Sequence, residues 1–407
     1  MPEAAHHAAL AKQPAAPHGT RHLARQRLLA VLAATGGCLG LVGPASADAE
    51  FSLYGEIDTG LTYASAAARE EGGHGNRLTA TSSNVTGSFF GLRGVEDLGG
   101  GASALFTIER GVDVTNGEGS SGQPMFVGLS HTDWGTLTLG HQNDAINDYL
   151  APLTLTGSDG GTYFAHPFDN DNANATYLVD RSVKWESPTW HGFHFGGAYS
   201  IESDAPGPHT WSVGAVFGEG PLSLAASYAQ SGGLPLEDDL GTAVGDALAR
   251  AGVKTSPGDA LRLSRRAYGT GINYELGDAT LGAVWTHSRH EGRTNESGRV
   301  GGGAKAAGRI DFDNYEFNAR YRAGALSFAG AYTFTQGGAH SSDAHLKAAW
   351  HQFGLLANYA MSKRTDLYVE GIHQRTTNGT PLAFVYGVGS AASDQQSVLA
   401  MGMRHRF

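Results

Sequence analysis

Cysteine is nearly missing from this chain of 407 residues: there is one, Cys38, in an N-terminal segment expected to be removed. A mature chain without cysteine excludes disulfides and thiolate metal sites. Lipidation of Cys38 is disfavoured, since Thr35 stands where a bulky aliphatic is wanted, although Gly37 precedes the cysteine. Long apolar runs are missing too. No run of about 18 apolar residues occurs beyond the N-terminus, so helical membrane spans are excluded. A mean hydropathy of -0.25 agrees. A transmembrane barrel escapes that test, because each strand shows lipid only every second residue. Basic residues are scarce, 28 against 39 acidic, for a net charge of -11, which argues against nucleic-acid binding.

The N-terminus reads as an export signal. Arg21, Arg25 and Arg27 form a basic region, Leu28 to Val42 is apolar with small residues, and Ala45-Ser46-Ala47 supplies the cleavage site. Residues 1–47 are therefore read as a signal peptide with a long N-terminal extension, and residues 48–407 as the mature protein. Removing Lys12, Arg21, Arg25, Arg27 and Glu3 takes away about +3, leaving a mature charge of about -14.

From Glu50 onward one pattern repeats: about ten residues of alternating character, then a connector. Phe51-Ser52-Leu53-Tyr54-Gly55-Glu56-Ile57-Asp58 opens the series. Short connectors such as Glu96–Gly100, His131–Gly135, Ser187–Trp190, Gly218–Pro221, Leu276–Ala279, Arg322–Ala325 and Met361–Arg364 carry turn chemistry. Long polar stretches fall near 64–86, 110–122, 143–179, 201–209, 231–265, 290–309, 337–344 and 377–394. This segmentation gives about sixteen strands, with long and short connectors in strict alternation. Such alternation predicts an all-β, 16-stranded antiparallel transmembrane β-barrel, whereas a sandwich would mix connector lengths. Aromatics near strand ends, among them Tyr54, Phe89, Trp134, Trp185, Trp190, Tyr268, Tyr315, Trp350 and Tyr368, suit the two membrane interfaces. On the last strand Leu399, Met401, Met403 and Phe407 share one face, and Ala400, Gly402, Arg404 and Arg406 the other.

Several segments resemble the trimeric general porins of Gram-negative bacteria, in their β-proteobacterial branch. They are Leu53–Asp58, Ser88–Gly101, Phe126–Ser130, Gly135–Gln142, Ser182–Pro188 and the ending Gly402–Phe407, all in family order. The resemblance implies an outer-membrane homotrimer with no cofactor, passing small hydrophilic solutes and ions by diffusion. It also implies an inward-folded third loop, for which 143–179 is the candidate, carrying Asp144, Asp148, Asp159, Asp169 and Asp171.

In this family an acidic inner loop faces a basic wall, creating a transverse field that filters solutes. Here the family's arginine positions fall at Phe89, Gln123 and His141, while Arg93 and Lys184 remain, with Glu109 nearby and Arg181 where Asn is usual. The constriction candidates are thus Arg93, Glu109, Gln123, His141, Asp148, Asp159, Asp169, Asp171 and Lys184, and the acidic excess predicts cation preference. No phosphate loop, metal-ligand spacing or dinucleotide fingerprint is present, so neither a metal nor a bound cofactor is expected. His287 and Ser288 are adjacent on one strand and point to opposite faces, which argues against a catalytic dyad. Two rivals stand beside the channel: a surface adhesin or structural anchor using the loops 231–265 and 290–309, and a substrate-specific channel.

Overall fold

The computed structural model describes residues 49–68, 74–120, 122–201, 209–234, 262–294, 305–340, 345–377 and 383–407. The expected signal peptide and the tips of the 231–265 and 290–309 loops lie outside them. Sixteen strands form the wall. The first eight are β1 (Ala49–Ala68), β2 (Phe89–Gly99), β3 (Ala102–Val112), β4 (Met125–His131), β5 (Gly135–Gln142), β6 (Val179–Glu186), β7 (Phe193–Ser200) and β8 (Trp211–Glu219). The rest are β9 (Leu222–Leu234), β10 (Arg262–Leu276), β11 (Ala279–Thr294), β12 (Lys305–Ala323), β13 (Leu326–His340), β14 (His345–Ala360), β15 (Thr365–Thr377) and β16 (Gln395–Arg406).

Each strand runs antiparallel to the next, and β16 pairs with β1 from Glu56↔Arg406 to Ala64↔Val398. This closure removes the two edges that would otherwise leave unsatisfied backbone groups in lipid. Beyond the last strand, Phe407 and Gly55 exchange both backbone hydrogen bonds, at 3.1 and 3.3 Å. A short extra strand, His74–Ser82, doubles back along the upper half of β1. Short turns gather on one rim and long connectors on the other, as the alternation predicts.

Cross-strand partners share a face, so one register assigns the whole wall. Phe51, Leu53, Leu61, Leu92, Ile108, Val127, Leu129, Leu137 and Leu139 are exposed on the outside. Their neighbours Glu56, Asp58, Thr62, Thr107, Glu109 and Thr138 are buried within. This is the reverse of a soluble barrel, with apolar side chains turned to lipid and polar ones to the lumen. The last strand obeys it: Leu399, Met401 and Met403 face out, and Ala400 and Arg404 face in.

Two expectations need correction. Tyr54, Phe89, Trp350 and Tyr368 are not membrane-interface aromatics, because their register turns them inward: Phe89, Trp350 and Tyr368 are buried, and Tyr54 donates to Glu109. Tyr268, Tyr315, Tyr321, Tyr332 and Tyr359 do face outward. The strands also run further than hydropathy suggests. β11 continues to Thr294 and β12 begins at Lys305, inside what reads as a 290–309 loop. Above the membrane both faces are polar, with Arg289 outside and Ser288 and His290 inside, so alternation disappears while the ladder continues.

Candidate functional site

After Gln142 the chain leaves the wall and turns into the lumen, returning at Val179. It has no regular helix beyond single turns, so side chains and the wall must hold it. The wall does so at three places. Ile146, Leu150 and Leu153 pack on Ala225, Ala229, Ala267 and Val284 of β9–β11. Leu155, Tyr163 and Phe164 pack on Ala329, Ala331, Leu356, Ile372 and Val398 of β13–β16. The approach is close: a Cβ at Gly354 would run into the Phe164 ring. Wholly buried apolar side chains of this size contribute about 1.5–3 kcal/mol each.

Between these apolar feet lies a buried polar clasp. His166 places Nδ1 2.7 Å from Asp171 and Nε2 3.2 Å from Glu316 of β12, with all three side chains fully enclosed. Thr286 donates to Asp171 at 2.5 Å, Ser288 donates to Asn170 at 2.6 Å, and Glu316 accepts from the Leu155 backbone at 2.8 Å. Burial alone would lower the His166 pKa, but the Asp171 and Glu316 carboxylates outweigh it and raise the ring to about 10. Burial likewise works against the Asp171 carboxylate, but the His166 cation and its hydrogen bond hold it down at about 2. The clasp is therefore a charged imidazolium between two carboxylates, an arrangement tolerated inside a fold only when every charge is met. Asp144 completes the anchorage, accepting from Arg265 of β10 at 2.8 Å and from Asn172 at 3.0 Å.

The constriction candidates separate into three groups. Five reach the lumen, three of them in ion pairs. Lys184 Nζ lies 2.5 Å from Asp148, tying the loop to β6. Asp159 lies 3.5 Å from Arg320 Nε of β12. Glu109 and Arg93 sit on the inner face of β2–β3. Tyr54 donates to Glu109, while Arg93 donates to Ser52 at 3.0 Å and lies 4.8 Å from the Tyr54 ring centre. Asp169 and Asp171 instead shape and fasten the loop, Asp169 by accepting from the Asn174 backbone at 2.9 Å and Thr176 at 2.6 Å. Gln123 is buried just before β4. His141 pairs across the ladder with Met125, on the face of the lipid-exposed Leu139, and contacts Asp180 at 2.5 Å. Its register places it outside the lumen.

The constriction candidates left out the cations of the later strands, although Arg404 and Arg406 had been set on the face opposite the apolar one. Arg404 and Arg406 of β16 reach Glu56 of β1 and Asp366 of β15, with Arg404 3.3 Å and Arg406 3.4 Å from Glu56. Arg320 donates to the Thr154 carbonyl at 2.9 Å and Ser158 at 2.6 Å. Alternation could have found Arg320 as well, since it continues the face of Asn314, Glu316 and Asn318. Glu370 of β15, also left out, is buried among loop-facing residues, and neither carboxylate oxygen is hydrogen-bonded among the described residues.

A closed 16-stranded barrel with an apolar exterior, a charged lumen and a loop fastened across its neck is an outer-membrane channel fold. A protein-family profile described as Gram-negative porin matches residues 29–379, and the chain belongs to that family. An outer membrane porin protein of Bordetella pertussis is 26% identical, over 90% of this chain and 97% of its own length. Outer membrane porin protein 32 of Delftia acidovorans is 25% identical, over 93% and 98%. Among solved structures, an anion-selective porin from Comamonas acidovorans superposes with a TM-score of 0.67 at 21% identity, covering 88% of this chain and all of that one. OmpT of Vibrio cholerae in its trimer form gives 0.60 at 16% identity, covering 88% and 99%. The chain is thus an outer-membrane porin, and the porin family and fold are those of non-enzymatic channels.

Proposed function

We propose that this porin is a passive, weakly cation-preferring channel for small hydrophilic solutes and ions, working as a homotrimer. The observation that carries the sign is the ionic pairing of the lumen. Lys184, Arg265, Arg320, Arg404 and Arg406 are each bound to a carboxylate. Asp171 and Glu316 share the single cation of His166, so in these lumen pairs seven carboxylates meet six cations. The acidic groups therefore exceed the basic ones at the neck, and a narrow, water-filled passage with that excess favours cations. The Comamonas acidovorans porin, with the same fold, is anion-selective, so the barrel alone does not carry the cation preference and the proposal rests on the lining. His287 and Ser288 lie on opposite faces of β11: Ser288 is bound to the inner loop, and His287 to Asp313 on the outside. They form no dyad.

Liposome swelling tests the diffusion reading directly. Vesicles carrying the folded protein should swell in small sugars at rates that fall steeply with sugar size. Vesicles that stay tight to every sugar would return weight to the adhesin or anchor reading. Migration of the unheated protein as a species three times the chain mass would support the trimer, and migration as a single chain would refute it.

A further inference from the structure

On β10–β14 the outer surface of the barrel is aromatic at one height and ionic just beyond it. Tyr268, Trp285, Tyr315 and Phe334 make an outward row. Ring centres are 5.7 Å apart between Tyr268 and Trp285, and 6.3 Å between Tyr315 and Phe334. Outward aromatics near the end of a membrane strand mark the level of the lipid headgroups. Toward the long-connector rim, a single register row then reads Arg266, Arg289, Asp311, Gly338 and Lys347 across the five strands. Arg266 is two residues beyond Tyr268, about 7 Å along the strand. Arg309 stands one row higher, opposite Glu291.

Four cations therefore meet three carboxylates on this face. Asp313 is already held by His287 at 3.0 Å. Asp311 alone serves two guanidiniums, 2.7 Å from Arg289 Nε and 2.8 Å from Arg309 Nε. Glu291 lies in the upper row, away from the aromatics. Arg266 and Lys347 are exposed and belong to no ion pair among the described residues. Arg266 also directly faces Arg289, and like charges set opposite each other on a sheet repel. An anion lying over the row removes that repulsion. At the other end of the same strands Tyr274, Leu281 and Tyr321 face outward, so the cationic row belongs to one leaflet.

We propose that this outer face binds a membrane lipid with an exposed phosphate, its oxygens spread over Arg266, Arg289 and Lys347. Guanidinium forks match phosphate oxygens, and basic residues at the bilayer surface draw anionic headgroups. A lipid fits better than free phosphate, because Ile272, Leu281 and Phe317 are exposed below the aromatics. The strands that hold the headgroup thus also cover the chains. The inference goes beyond the channel reading and needs only the barrel in its membrane, since every residue it uses faces away from the lumen.

The test is native mass spectrometry of the full barrel folded in detergent, with phosphatidic acid, a phosphate monoester, against phosphatidylcholine. The wild type should retain phosphatidic acid in preference. Arg266→Gln combined with Lys347→Gln should weaken that retention about tenfold or more, and Arg266→Lys combined with Lys347→Arg should keep most of it. Lys363→Gln combined with Arg364→Gln removes two cations at the opposite rim and should change nothing. Equal retention by the wild type and the Arg266/Lys347 glutamine variant, or equal loss from both glutamine variants, overturns the lipid site. Displacement of the lipid by inorganic phosphate at the same concentration also overturns it, in favour of the free ion. Conductance in phosphatidylcholine bilayers should be the same for the wild type and the Arg266/Lys347 glutamine variant. A silent barrel that still selects phosphatidic acid would refute the channel and keep the lipid site.

Discussion

The wall strands β1–β7 and β8–β16 carry the same outward pattern but opposite kinds of inner face. Within β1–β7, Ser52, Tyr54, Ser130, Thr136 and Glu186 remain partly open to the lumen. Within β8–β16, Ala225, Ala229, Ala267, Val284, Ala329, Ala331, Leu356 and Ile372 are buried under the inner loop. One half of the cylinder lines a passage, and the other is the floor of a protein core. The difference shows where the neck gets its rigidity: the loop is seated mainly on the second half, and on the first it meets Lys184 through Asp148, Thr62 through Tyr163 and His194 through Tyr149.

That contrast can be broken most forcefully at the clasp. His166→Leu leaves Asp171 and Glu316 as buried charges without their partner, a loss of about 3–5 kcal/mol for such a pair. The expected result is an unseated loop, read as larger single-channel conductance and as new protease cleavage within 143–178. Phe164→Ala attacks the apolar foot instead, and truncating a buried phenylalanine costs about 3–5 kcal/mol at full burial. Its effect should be slightly smaller, because the β9–β11 foot survives; the same conductance and cleavage assays measure it. Arg320→Gln removes charge-assisted bonds to the loop turn, each worth about 1.5–3 kcal/mol. It should raise current noise more than mean conductance. In β1–β7, Arg93→Gln should leave the loop seated and shift only the reversal potential, toward stronger cation preference.

The same clasp predicts a pH response. The His166 pKa is raised to about 10, so its contribution is complete below the value of a free imidazole and is lost as pH rises through about 10. The Asp171 pKa is lowered to about 2, so its contribution is present above the ordinary carboxylate value and is lost as pH falls through about 2. The loop should therefore stay seated across the neutral range and loosen at alkaline pH, with conductance rising above about pH 10. His166→Gln should abolish that alkaline step.

Much of this was legible in the residues. Alternation from Phe51 onward fixes strands and faces, since a one-residue slip would turn Leu53 and Leu61 into the lumen and Glu56 and Asp58 into lipid. The porin resemblance implied an inward-folded third loop, and the long acidic stretch after Gln142 was its candidate. What stayed hidden is long-range. His166 and Glu316 are 150 residues apart, and nothing local pairs them. The wall cations were sought in β2–β6 by analogy, whereas Arg265, Arg320, Arg404 and Arg406 come from strands that meet the neck only on closure. His141 misled for a local reason: the ladder is irregular between Gly140 and Gln142, and His141 stands on the outward side of that step. Above the membrane, where Arg289 and Ser288 are both polar, period two is silent about where a strand ends.

The most direct test of the account is the reversal potential of the reconstituted wild-type channel in a potassium chloride gradient. An acid-rich neck predicts a potential on the potassium side of zero, moving toward zero as ionic strength rises and screens the lining. A potential on the chloride side would contradict it, and would mean that the cations of β10, β12 and β16, rather than the inner loop, govern what passes.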